Sequence, residues 1–351
     1  MNKKGPIEHQ FFTLEELITK LKERGLKIID DSKLLWYLKS YNYQNIINEY
    51  RKPFLTNHQC YQYLENANSQ MIIDLFNFNR SISTILIGDL HSIEMQLSSA
   101  IALELTETID KLHPKRTSFC ALTTQERSQI FTLNNEKQNE YVFNSLQSNF
   151  LQLRKNKEYI DVEWEKWDEV PMYSLPLLWT FGISINIFCC LNPEIQKRIL
   201  LKYFSKISNI DIKTFVCLLF CFNDLRNKIS HNEVVYKFKL ESNNLINRIS
   251  KLYPSIRKKR IVSILKSNFS YLLPTCEDIK IDLKLINIVQ IIIKITNNHE
   301  LEKLINNKLI SLKNSINDGN HIGINQSIQY SSCKEAWKNI CAFLELNDEE
   351  S

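Results

Sequence analysis

Asp224-Leu225-Arg226-Asn227-Lys228-Ile229-Ser230-His231 brings an acid, a guanidinium, an amide and an imidazole to the end of a strongly apolar run. At about 100° of rotation per helical residue, Asp224, Asn227 and His231 share one face. Arg226 lies about 100° round from Asn227 on a side chain long enough to reach that face. These groups suit cleavage of RNA without a metal. A base takes the proton of the ribose 2′-OH, the oxygen attacks phosphorus, and a cation steadies the developing charge. Imidazole is the side chain best matched to proton transfer near neutral pH, so His231 would supply the acid–base group. Arg226 would contact the phosphate oxygens in bidentate fashion, and Asn227 would hold the imidazole or the ribose. Asp224 would orient His231, or, more plainly, pair with Lys228 four residues on. On spacing alone, a helix-end histidine resting at the negative end of the helix dipole explains the pattern as well.

Helices must carry these groups. Only 6 glycines and 8 prolines occur in 351 residues, which argues against sheet-and-turn architectures and against a glycine-rich phosphate loop. Residues 14–25 show helical spacing with Gly25 as a C-cap, and a second helix is expected over 31–41. Pro53 excludes helix from the connection at 51–57. From 70 to 108, Ile82, Ile85, Leu86, Ile93, Leu97 and Ile101 recur at three and four, predicting one long helix with a continuous buried stripe. Further helices are expected over 125–155, 175–190, 194–204 and 212–230. Past 240, apolar and basic helical segments alternate, including 255–266 and 286–295.

Four blocks, in order, resemble the Abi-like family of abortive-infection proteins, within the wider HEPN ribonuclease superfamily. FFTLEELITKLKERGLKIID followed by YLKSYNYQNIINEYRKPF is similar to its opening helix and aromatic Asn-Tyr segment. IIDLFNFNRSISTILIGDLHSIEMQLSSAIA resembles its phenylalanine-acid-arginine helix, with Arg80, Ile93 and Glu94 at the matching positions. LPLLWTFGISINIFCCL resembles its tryptophan-then-Phe-Gly segment, and DLRNKISHNEVVY its Arg-Asn-x-x-x-His motif. The resemblance covers about residues 12–240. The family commonly has Asp where this chain has Asn79, and often has Arg where it has Ser98. The resemblance implies an all-α, HEPN-like helical bundle with catalytic roles for Arg226, Asn227 and His231. Asp224, Glu94 and Arg80 would support them. It also implies a homodimer in which two such motifs face each other, one imidazole acting as base and the other as acid.

The expected organisation is an N-terminal helical extension (1–60), the catalytic bundle (61–240) and a C-terminal helical region (241–351) that binds RNA or a partner. The net charge of +5 matters only where it clusters. Arg257, Lys258, Lys259 and Arg260 form the densest basic run, a candidate RNA-backbone contact or simply a solvated helix face. Tyr41, Tyr43 and Tyr50 would pack in the core or stack on unpaired bases. Asp89 and His91 lie near Glu94 on the long helix; His91 reads as structural, and Glu94 on its own reads more plainly as a solvated or ion-paired acid than as a partner of the site. Nine cysteines without a Cys-x-x-Cys pair, and no export signal, suit a reducing cytoplasm. Cys217 and Cys221 read as small core side chains. No metal-ligand spacing and no nucleotide fingerprint occur, so neither metal nor cofactor is expected.

The uncharged stretch 172–193 mimics a membrane span but is broken by Pro176, Ser184 and Asn186, so a buried core helix is expected. The function expected is a metal-independent endoribonuclease of antiphage, toxin-like defence, with RNA as substrate. An antitoxin, a regulatory noncoding RNA or a phage trigger would hold it in check. The rival is a non-catalytic RNA- or partner-binding protein; a membrane-acting protein is a third reading.

Overall fold

The computed structural model describes residues 12–57, 61–114, 123–132, 142, 172–240, 242–253, 256–273, 283–318 and 337–338. The fold is all-α; among the described residues only two short antiparallel strand pairs interrupt the helices. The chain divides into two compact units, Met1–Thr84 with Lys303–Ser351, and Ile85–Glu302.

In the first unit, α1 (Leu14–Glu23) starts on a capping box: Thr13 Oγ1 accepts from the Glu16 N–H and the Glu16 carboxylate accepts from the Thr13 N–H at 2.7 Å. It ends where Gly25 turns to φ +87°, donating to the Lys22 carbonyl while Leu26 donates to Leu21. This is the paired closure that a left-handed residue permits. Asp30 caps α2 (Asp31–Tyr41) by accepting from the Lys33 N–H. The connection at 51–57 is more ordered than expected. Lys52–Phe54 forms a 3-10 turn with Pro53 at its start, where a missing N–H costs nothing. Strand β1 (Leu55–Asn57) then pairs with β2 (Gln62–Tyr63). Tyr50 is buried against Phe76, with ring centroids 5.5 Å apart, so it packs rather than stacks on a ligand.

α3 (Ser69–Leu112) runs for 44 residues. Ile82, Leu86, Ile93, Leu97 and Ile101 are buried along it, as the periodicity predicts, with Ile85 half-buried at the margin.

The second unit holds the remaining helices up to residue 302. α4 (Thr124–Ile130) stops far short of the helix expected over 125–155: Phe131 turns extended and bridges Leu191. Residues 133–141 and 143–171 lie outside the described ones. The expected helix 175–190 is two elements, because Pro176 lies within a 3-10 segment (Met172–Leu178). α5 (Phe181–Cys190) begins afresh on Thr180, whose hydroxyl caps the Ile183 N–H.

α6 (Pro193–Tyr203) and α7 (Ile212–Ser230) follow. α5 packs against α7, with Phe188 and Phe204 flanking Phe215 at 5.4 and 4.8 Å between centroids. Cys217 and Cys221 are fully buried, and burial pushes both thiols well above their usual range. Strand β3 (Lys239–Leu240) leads to α8 (Ser242–Leu252) and α9 (Lys258–Leu272). Strand β4 (Leu283–Lys284) pairs with β3 and leads to α10 (Leu285–Thr296); α11 (His299–Asp318) follows, its residues from Lys303 on belonging to the first unit. α7, α8 and α9 pack on one another. No described helix is long and apolar enough to cross a membrane.

Candidate active site

Asp211 starts α7, its carboxylate accepting from the Lys213 N–H at 2.8 Å. The body from Phe215 to Phe222 is buried but for the half-buried Phe220, and fixes the helix in the core. From Asn223 on, half-buried polar residues share the helix with Leu225 and Ile229, which keep it docked. His231 occupies the cap position, its N–H donating to the Asn227 carbonyl at 2.9 Å. Asn232 then turns left-handed at φ +54°. Its N–H donates to the Ile229 carbonyl, and the Glu233 N–H reaches back to Lys228 at 2.9 Å. This is the closure seen at Gly25, built here on Asn, the other residue that tolerates the left-handed region. Lys228 and Glu233 also pair through their side chains. His231 is exposed, and its imidazole makes no hydrogen bond to a described residue.

The Arg226 guanidinium lies between two neighbours. Its Nη1 donates to Asn227 Oδ1 at 3.3 Å, and its Nε stands 3.5 Å from Glu94 Oε2 on α3. Nε is buried and at that distance makes no hydrogen bond, so the acid offsets the charge without saturating it. Nη2 donates to no described residue. Arg226 thus keeps donors available for an oxyanion, the property a phosphoryl transition state needs. One turn after Glu94, Ser98 replaces the arginine common in the resembled family. It is buried, hydrogen-bonded at 2.9 Å to Ser184 on α5 and donates to the Glu94 carbonyl. That hydroxyl pair fixes the part of α3 that carries Glu94.

The other sequence-predicted residues lie as follows. Asp224 neither orients His231 nor pairs with Lys228; its carboxylate accepts from Arg248 Nη1 on α8 at 2.8 Å. Arg80 belongs to the first unit, where it donates to the Tyr41 hydroxyl at 2.6 Å and lies over the Tyr41 and Phe76 rings. Asp89 accepts twice from Asn298, and His91 is exposed. Arg257, Lys258, Lys259 and Arg260 are all exposed at the start of α9, with Lys258 donating to Asn247. Among the described residues, no group of three or more His, Cys, Asp and Glu is placed to hold a metal ion.

Sequence reading missed Arg248 and Asn232. Arg248 carries no local signal, since its partner lies 24 residues away. Asn232 did carry one: Asn directly after the last helical residues is a stop signal.

A family model described as Abi-like protein matches residues 36–237. No curated protein and no solved structure matches the chain. The matched span takes in α3, α5, α6 and α7, and so contains Glu94, Arg226, Asn227 and His231. With more than half of its length accounted for in this way, the chain belongs to the Abi-like protein family.

Proposed function

We propose that this protein is a metal-independent endoribonuclease of abortive-infection defence, built like the HEPN ribonucleases and acting in the cytoplasm. The observation that carries the reading is the end of α7, where an exposed imidazole follows a guanidinium with donors to spare. In the reaction, a base takes the proton of the 2′-OH and that oxygen bonds to phosphorus. The P–O5′ bond breaks, and an acid protonates the departing O5′, leaving a 2′,3′-cyclic phosphate and a 5′-OH end. Arg226 steadies the non-bridging oxygens, and Asn227 holds Nη1 of the guanidinium. Glu94 keeps the guanidinium on this side of α3.

One imidazole serves as base or acid at a given moment, so a second copy supplying another His231 completes the site. Met95, beside Glu94, is 70% exposed, and Leu103 on the same helix is 50% exposed. This is apolar surface of the kind that a subunit contact covers. The exposed run Arg257–Arg260 suits the RNA backbone. An antitoxin, a regulatory noncoding RNA or a phage-derived trigger restrains the enzyme in healthy cells.

The test is incubation of the purified protein, wild type and Arg226→Ala, with total RNA in chelator, followed by sequencing of fragment ends. The wild type should leave 2′,3′-cyclic phosphates and the variant should not. Binding of RNA without any cleavage by the wild type would instead establish an RNA-binding protein.

A further inference from the structure

Within residues 12–84, far along the chain from Arg226, two arginines converge on one tyrosine. The Arg51 guanidinium lies 4.1 Å from the centroid of the Tyr61 ring and that of Arg24 lies 5.6 Å from it. Neither guanidinium forms an ion pair with a carboxylate among the described residues. Tyr61 holds a left-handed backbone, φ +53°, that a bulky L-residue rarely adopts. The turn it makes delivers β2: the Tyr63 N–H donates to the Arg24 carbonyl at 3.1 Å and the Leu64 N–H to the Phe54 carbonyl at 2.9 Å.

Tyr63 is only 4% exposed, and its hydroxyl has no hydrogen-bond partner among the described residues. Buried hydroxyls are normally satisfied, so an orphan beside two uncompensated cations points to a ligand that would satisfy all three. Tyr43 joins them: burial raises the phenols of Tyr43 and Tyr63, while Arg24 and Arg51 pull both back. Two guanidinium forks and two phenolic hydroxyls meet here, one of those hydroxyls (Tyr43) accepting from Arg24, and such a donor-rich set suits an anion.

We propose that Arg24, Arg51, Tyr43 and Tyr63 form a phosphate-binding site, separate from the Arg226–His231 site, that takes the phosphate of a nucleotide or of an RNA strand. The two arginines bond the phosphate oxygens, and the Tyr61 ring keeps both guanidiniums stacked and aimed. The Tyr63 hydroxyl supplies a donor from the buried side.

The experiment is calorimetric titration of the full-length protein with three probes. These are adenosine monophosphate, a 5′-phosphorylated 2′-O-methyl RNA octamer that cannot be cleaved, and its 5′-hydroxyl counterpart. Saturable binding of at least one probe is expected. Arg51→Ala and Arg24→Ala should each weaken it about tenfold, with Arg51→Lys restoring part. Tyr63→Phe deletes only a hydroxyl with no hydrogen-bond partner among the described residues, so it keeps the fold, and it should weaken binding about threefold. Preference for the monophosphate identifies a free nucleotide as the ligand. Preference for the phosphorylated octamer identifies an RNA end, and equal binding of both octamers an internal phosphate. Absence of saturable binding to every probe overturns the site. So does affinity left unchanged by both Arg51→Ala and Tyr63→Phe. The uncleavable RNA makes the result independent of whether His231 cuts.

Discussion

Two of the acids on α3, Glu94 and Glu104, stand ten residues apart, about 15 Å along its axis. Each meets a cation from a helix later in the chain, yet the two meetings are built differently. Glu104 is fully buried and completely answered. Arg198 Nε reaches one carboxylate oxygen at 2.9 Å and Lys202 Nζ the other at 2.8 Å. Arg198 Nη2 donates also to Thr108 at 3.2 Å, and Lys202 to Glu107 at 3.0 Å. Glu94, 13% exposed, has one approach from Arg226 at 3.5 Å, and that arginine retains donors. A pair that only holds helices together closes every valence, because an unanswered charge in the interior is costly. A pair that is to receive a third, anionic group leaves valences open. The contrast separates a structural bridge from a candidate reactive one on the same helix.

Four measurements put that contrast at risk. The largest effect belongs to His231→Ala, which should lower RNA cleavage by about 10²–10⁴-fold. It should leave the unfolding midpoint unchanged, since the side chain is exposed and bonds to no described residue. Cleavage within threefold of wild type would remove the imidazole from the mechanism. Next comes Arg198→Met with Lys202→Met. Stranding the buried Glu104 carboxylate should cost about 3–5 kcal/mol in urea unfolding, and a loss below about 1 kcal/mol would show the network to be dispensable.

Glu94→Gln ranks third. It keeps the shape and removes the charge that partly offsets Arg226, so RNA affinity should rise. Cleavage should fall about tenfold as the guanidinium loses its anchor, with stability altered by no more than about 1 kcal/mol. A stability loss equal to that of the Arg198/Lys202 variant would erase the distinction between the two acids.

The smallest effect is in acid. Hydrogen bonds from Lys111 and Lys202 hold the Glu107 carboxyl at about 2, below its usual 4.5. A carboxyl lowered by folding stabilises the protein fully above its unfolded value and loses that contribution as pH falls towards the folded value. Glu107→Gln should therefore flatten the decline in stability between about pH 4.5 and 2. An unchanged acid limb would mean that the exposed Lys111 and Lys202 contacts are screened away.

What could be read in the sequence follows the range of the interactions involved. α3, α7 and α10 were legible because their stripes repeat every three or four residues, and Gly25 because a helix end needs a left-handed residue. The Arg226–Asn227–His231 grouping was legible for the same reason, being confined to one turn and a half. Glu94 entered through the resemblance of its whole block, since spacing alone cannot pair it with a residue 132 positions away. The Glu104 network escaped notice because its cations sit 94 and 98 residues further on. α4 is shorter than its sequence suggests, since nothing local at Ile130 marks its end, which comes where Phe131 bridges Leu191. Residues 175–178 read as the start of α5 by their apolar content, yet they close the 3-10 segment that holds Pro176.

The left-handed turn at Asn232 bears on motion. Exposed helix ends normally fray, the last amides opening and closing quickly and exchanging their hydrogens with water. Here the Glu233 N–H is tied back to Lys228 and the side chains of those two residues are tied as well, a double strap around the position that bears the imidazole. A proton-transferring ring on a rigid stalk can rotate about its own bonds while its anchor stays still. The amides of His231, Asn232 and Glu233 should accordingly exchange more slowly than their surface position suggests.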